Sequence, residues 1–188
     1  MIGLFLLLSY FFIDKIGISK KYISDGSVEN YDLKVNNKFR PFKSKVRPSS
    51  EAEKVILDSF KIEIIDDYEA LKNIYVENKF DDSSMEYYKE KVAEGMYTKK
   101  VVIHSLWELS EEEYTDKSMD LKYYSFIDKL KKYNPYEYKI FHVNYTIKYT
   151  GKLDRVTQWG DGNYTMYYVV TKEKESSNWR IFDTYGHV

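Results

Sequence analysis

The chain has 188 residues, no cysteine, and 29 basic against 30 acidic side chains. That length holds one domain with a core plus an appendage, and the missing cysteines exclude disulfides, thiolate metal sites, cysteine nucleophiles and a lipid-modified N-terminal Cys. The balanced total gives no sign of a nucleic-acid binder, but it is uneven: residues 1–48 hold nine basic and four acidic residues, leaving 20 and 26 for the rest.

Met1–Ile13 is almost wholly apolar and runs into Asp14 and Lys15. A spanning helix needs roughly 20 apolar residues and a signal-peptide core roughly 7–15, so the length suits an export signal. No basic segment precedes it and no small-x-small site follows it, which keeps an uncleaved anchor open. Lys15, Lys20 and Lys21 would by the positive-inside tendency turn an anchored body toward the cytoplasm, and a buried N-terminal strand or helix is the remaining reading. Residues 1–15 are thus expected to be a signal or anchor segment, contacting membrane, of an exported, anchored or secreted chain. Residues 16–49 show no sustained period and carry Lys38, Arg40, Lys43, Lys45 and Arg47, interrupted by Pro41 and closed by Pro48. They read as a basic linker, either a solvated tether or a stretch that touches anionic headgroups or wall polymers.

The domain is expected over residues 50–188. Ser50 with Glu53 has capping-box spacing, and Ala52, Val55, Ile56, Phe60 and Ile64 follow a helical stripe, predicting a helix from about Glu51 to Ile65. Asp66 with Glu69 repeats the spacing ahead of Tyr68, Leu71, Ile74 and Tyr75, a second amphipathic helix; Ser83 with Glu86 opens a third that ends at Gly95 in a left-handed cap. Thr98–Leu109 alternates as a strand, Ser110–Asp116 is acidic and exposed, and Lys117–Tyr133 predicts a fourth helix stopped by Asn134-Pro135. Three strands follow. Phe141, Val143, Tyr145, Ile147 and Tyr149 alternate with polar residues in the first; Tyr164–Thr171 is apolar on both faces, as in a central strand; Trp179, Ile181, Asp183 and Tyr185 share a face of the last, joined to its neighbour as a hairpin. The fold class is α+β.

The order helix, helix, short helix, strand, helix, antiparallel strands resembles the nuclear transport factor two-like fold, also called cystatin-like, across Ser50–Val188. In detail it resembles small secreted or membrane-anchored domains of that fold from clostridia and related bacteria, through Phe60, Asp67-Tyr68, Trp179-Arg180-Ile181 and Gly186. The resemblance implies a curved antiparallel sheet packed on N-terminal helices as a cone-shaped roll, with a cavity open at one end. Enzymes of the fold place an Asp or His inside that cone beside a Tyr or a protonated Asp, an arrangement of carboxylates with well-separated pKa values.

Asp183 and His142 are therefore the candidate catalytic residues, with His104 a lesser one; none sits in a family-specific catalytic motif. The three histidines are scattered, so no metal site and no cofactor are expected. Lys152–Asn163 is the long irregular stretch of the domain, and Arg155, Gln158, Trp159 and Asp161 in it are the candidate ligand or partner contacts; the bland alternative is a wide hairpin with Trp159 folded back. The leading expectation is a non-enzymatic surface or envelope domain that binds a protein partner or small ligand and no nucleic acid. The alternatives are a small isomerase, dehydratase or cyclase, and a scaffold of a secretion or conjugation apparatus.

Overall fold

The computed structural model describes residues 29–35, 38–77, 79–116, 126–155 and 160–187. The expected signal or anchor and the first part of the expected linker lie outside the described residues. Among the described residues no helix is long and apolar enough to cross a membrane.

Six strands form one sheet in the order β1-β2-β3-β4-β5-β6. They are β1 Glu29–Val35, β2 Lys38–Ser44, β3 Thr98–Glu108, β4 Glu137–Tyr149, β5 Gly162–Lys172 and β6 Arg180–His187. With the helices below, the protein is α+β, as its patterning predicts. The linker expectation fails at residues 29–44, which form an antiparallel hairpin from Glu29↔Ser44 to Val35↔Lys38. Its buried positions are Asn30, Leu33 and Val35 on β1 and Arg40, Phe42 and Ser44 on β2. A period of two was present in the sequence, but the arginine and serine at inward positions disguised it as a charge run. Nor is the sheet wholly antiparallel: β2 joins β3 in parallel through Phe42↔Val101, Lys43↔Val102 and Ser44↔Ile103. Three helices stand between these strands, the long crossover that a parallel pair requires.

The helices are α1 Glu51–Ile64, α2 Tyr68–Ile74, α3 Asp82–Ala93, α4 Glu111–Thr115, α5 Phe126–Tyr133 and the single turn α6 Gly151–Asp154. The Ser50 and Glu53 capping box is formed as the spacing predicts. Two other caps differ. Asp67, not Asp66, accepts from the Ala70 N–H at the start of α2, and Asp81, not Ser83, caps α3. Asp81 also accepts from the Ser83 and Ser84 hydroxyls; with the Ser84 N–H as the largest contribution, these hold its carboxyl at about 2. Residues 117–125 of the expected fourth helix lie outside the described residues. The acidic segment before them folds its own helical turn, α4, on a Ser110 and Glu113 capping box.

One face of the sheet carries Val101, Ile103, Phe141, Val143, Tyr145, Ile147, Tyr168, Val170 and Ile181, in one cluster with Ala52, Ile56, Leu57, Phe60 and Ile64 of α1. Phe60 sits between Tyr145 and Tyr168, at centroid distances of 4.8 and 5.7 Å. Part of the opposite face carries Ile140, Tyr167, Val169, Phe182 and Tyr185 against Phe126 and Leu130 of α5. β5 is thus buried on both faces, as a central strand should be.

Candidate binding groove between β2 and β3

The parallel ladder between β2 and β3 ends at Phe42↔Val101 on its N-terminal side. Pro41 comes next, and a proline has no N–H to extend a ladder. Here the strands part around a groove of about 350 Å³. Phe39 and Pro41 form one wall, Tyr97 and Lys99 the other, with Lys38, Lys100 and Lys148 at its rim. Phe39 is 59% exposed.

Arg40 holds the groove open from below. The end of α1 is a Schellman turn: the Asp66 N–H donates to Glu63 O and the Asp67 N–H to Ile62 O. Asp66 takes the left-handed conformation there, with φ 60°, a position where Asp is among the few tolerated non-glycine residues. The turn presents two acceptors to one guanidinium: Arg40 Nη1 donates to Ile64 O at 2.7 Å and to Asp66 Oδ1 at 2.8 Å. The C-terminal end of a helix dipole favours such a cation. The guanidinium lies 3.7 Å from the centre of the Tyr97 ring, a cation–π stack that seats Tyr97 in the gap. Arg40 is 3% exposed, and its charge is committed to Asp66. Burial raises the Asp66 carboxyl, against the opposing pull of Arg40 and Tyr68.

The charges left for a ligand belong to the lysines. Lys38 Nζ donates to the Tyr97 hydroxyl at 3.4 Å, and Lys148 Nζ lies 4.0 Å from Asp161 Oδ2. Lys99 and Lys100 make no salt bridge among the described residues. Glu63 is turned inward: Thr98 Oγ1 donates to its Oε1 at 2.8 Å, and burial pushes its carboxyl up, helped by the Asp66 charge and opposed by the Thr98 hydroxyl.

The sheet face opposite α1 continues from the groove. Lys100 pairs with Lys148, Val102 with Thr146, Ser105 with Asn144 and Trp107 with His142; Thr146, Asn144 and His142 then face Asn163, Thr165 and Tyr167 of β5. The Thr146 hydroxyl donates to Asn163 Oδ1, so its oxygen accepts from His104 Nε2 at 2.6 Å, fixing the Nε2–H tautomer. Asn144 Nδ2 donates to Thr165 Oγ1 at 3.2 Å. The Trp107 and His142 rings stack at 3.9 Å, and Tyr167 meets His142 edge-on at 5.2 Å. Burial lowers both imidazoles, and Lys45 lowers His104 further, so both rings are neutral at neutral pH; the cations beside these rows are Lys43, in register with Val102, and Lys45.

The two alternative catalytic candidates, Asp183 and His142, both lie on the sheet face away from α1. A β-bulge places Ile181 opposite Val170 but Asp183 opposite Val169, with Phe182 as the extra residue. Asp183 therefore leaves the face of Ile181 and points to the opposite one, where Tyr185 Oη donates to it at 2.7 Å and Lys79 and Lys129 both lie at 3.2 Å. Burial works to raise its carboxyl, but the Tyr185 hydroxyl and the two lysines prevail and hold it below the usual range. His142 lies on the face away from α1, beneath Trp107. Among the described residues no group of three His, Cys, Asp or Glu side chains is placed to hold a metal ion.

Of the expected contact residues, Gln158 and Trp159 lie outside the described residues. Arg155 is exposed after α6. Asp161 accepts from the Tyr149 N–H at 2.6 Å and its own N–H donates to Asp154 Oδ1, so it braces the loop against the end of β4 beside Lys148. Tyr97, Lys99, Lys100 and Lys148 were not singled out by sequence reasoning. The Lys99-Lys100 pair at a strand start was a visible signal, but its meaning depends on which strand lies alongside.

No curated protein matches the chain. The model of a family described as a domain of unknown function, DUF4829, matches residues 53–184, from the first turn of α1 into β6. The chain belongs to the DUF4829 family.

Proposed function

We propose that this domain is a non-enzymatic binding module that captures a polyanionic ligand at the lysine-rimmed groove between β2 and β3. The observation that carries the reading is the division of labour among its cations: buried Arg40 is neutralised by Asp66 and shapes the groove, while Lys38, Lys99, Lys100 and Lys148 stand around exposed Phe39. Clustered like charges raise the local concentration of an oppositely charged polymer. A buried, paired guanidinium beneath them keeps the walls from collapsing onto one another.

The clustering of α1 with the sheet supports reading the architecture as the cone-shaped, cystatin-like roll of the nuclear transport factor two-like fold. The apolar run Met1–Ile13 supports an exported or anchored chain, in which the groove would meet polymers or acidic partners of the cell envelope.

The test is binding of inorganic polyphosphate to the full chain by calorimetry, against the triple variant Lys99→Glu, Lys100→Glu, Lys148→Glu. Affinity should fall at least about tenfold in the variant, and parental affinity should weaken steeply with salt as contacts release counterions. An unchanged affinity in a folded variant would remove the groove as the site.

A further inference from the structure

The groove does not end at its lysines. Along β4 the face opposite α1 runs from Lys148 through Thr146 and Asn144 to His142, a span of roughly 20 Å at the rise of an extended strand. Its chemistry changes in order. Lys100 and Lys148 form a cationic row. Along β4 and β5 hydroxyl, amide and imidazole groups follow, Thr146 with His104 and Asn163, then Asn144 with Thr165, with Lys43 of β2 in register with Val102 at their side. The far row is aromatic, Trp107 on His142 with Tyr167 behind. Trp107 is 42% exposed, with one ring face on the imidazole. The Nδ1 of His142 is buried without a hydrogen-bond partner, so the imidazole serves as the backing of a flat surface.

We propose that the polyanion is an acidic polysaccharide, laid along β4 with its charged substituents at Lys100 and Lys148, its hydroxyls over the amide and threonine rows, and a pyranose ring against Trp107. The inference rests on the groove being an anion-binding site and adds the class of ligand. Polyphosphate is charged at every unit but offers neither hydroxyls for the threonine and amide rows nor an apolar ring for Trp107. A pyranose chain carries hydroxyls that both donate and accept, matching side chains of the same kind, and its ring has an apolar C–H face suited to an indole. An acidic peptide held by its main chain would take a strand edge, whereas these rows lie on a sheet face.

Hyaluronate, polygalacturonate, inorganic polyphosphate and single-stranded polyuridylate, titrated into the full chain, separate the possibilities. The proposal expects one of the two polysaccharides to bind, Trp107→Ala to weaken it at least about tenfold while leaving polyphosphate affinity unchanged, and Trp107→Phe to recover most of the loss by restoring a ring. Lys100→Glu with Lys148→Glu should weaken polysaccharide and polyphosphate alike. Equal polysaccharide affinity in Trp107→Ala and parent overturns the polysaccharide and leaves the anion groove standing. Trp107-dependent binding of polyuridylate in preference to both polysaccharides overturns it in favour of a nucleic acid. Binding of none of the four removes the groove reading as well.

Discussion

Arg40 is the residue on which the candidate site depends most. Its side chain and that of Asp66 are 4% and 10% exposed, so removing one partner strands a charge where water solvates it poorly. Arg40→Met keeps much of the aliphatic stem and deletes the guanidinium that pairs with Asp66 and stacks on Tyr97. It should cost about 3–5 kcal/mol, the range for breaking a buried pair, and Asp66→Asn added to it should recover most of that loss. Urea denaturation of the two variants checks both statements; a loss below about 1 kcal/mol in the single variant would mean that the pair is effectively hydrated. Arg40 was visible in the sequence as one member of a basic run. Its inward direction was not, because that follows from the pairing of β1 with β2 and from a helix end 24 residues further along the chain.

At the scale of elements, local rules placed most boundaries. The capping box at Ser50 and the stripe from Ala52 to Ile64 set α1, and loss of that cap in Ser50→Ala should cost about 1 kcal/mol, read from a denaturation midpoint. An unchanged midpoint would mean that Glu53 and solvent satisfy the first turn unaided. Gly95, φ 81°, closes α3 as its position predicts. Asp66 and Asp67 show where such rules stop: two aspartates compete for one corner, the first taking the left-handed turn and the second the cap. Their spacing to Glu69 and Ala70 does not decide between them. The Schellman geometry at the end of α1 does.

For the whole molecule, the carboxyls pull stability in opposite directions as pH changes. Glu63 is raised by burial, so the folded chain holds its proton more tightly than the unfolded chain. The stability this brings is full below the unfolded carboxylate pKa of about 4 and drains as pH rises through the folded value. Asp183 is depressed, so its contribution is present above about pH 4 and is lost as acid protonates it. Glu63→Gln removes the first effect and leaves the second. The variant should exceed the parent in stability at pH 8, with a gap that narrows toward pH 4, in urea titrations across that range. A gap independent of pH would show that Glu63 is solvated in the folded state.

Sequence alone determined the α+β class, the span of α1, the inward face of β4, the burial of β5 on both faces, and the β5–β6 hairpin. These depend on periodicity and capping, interactions between residues a few positions apart. Alternation along β3 groups Trp107 with Val101 and Ile103, but an irregularity between Ile103 and Ser105 puts Leu106 with them in the core and turns Trp107 out. Tertiary structure decided the rest. It drew residues 29–44 into the sheet as a hairpin with a parallel neighbour, because only the partner strand shows that Arg40, Phe42 and Ser44 face inward. It turned Asp183 away from Ile181 through one extra residue, Phe182, since a bulge leaves the sequence alternation intact while shifting the register against β5. And it collected Lys38, Lys99, Lys100 and Lys148 around one groove, a grouping that arises when strands far apart in the chain run side by side and a proline parts them.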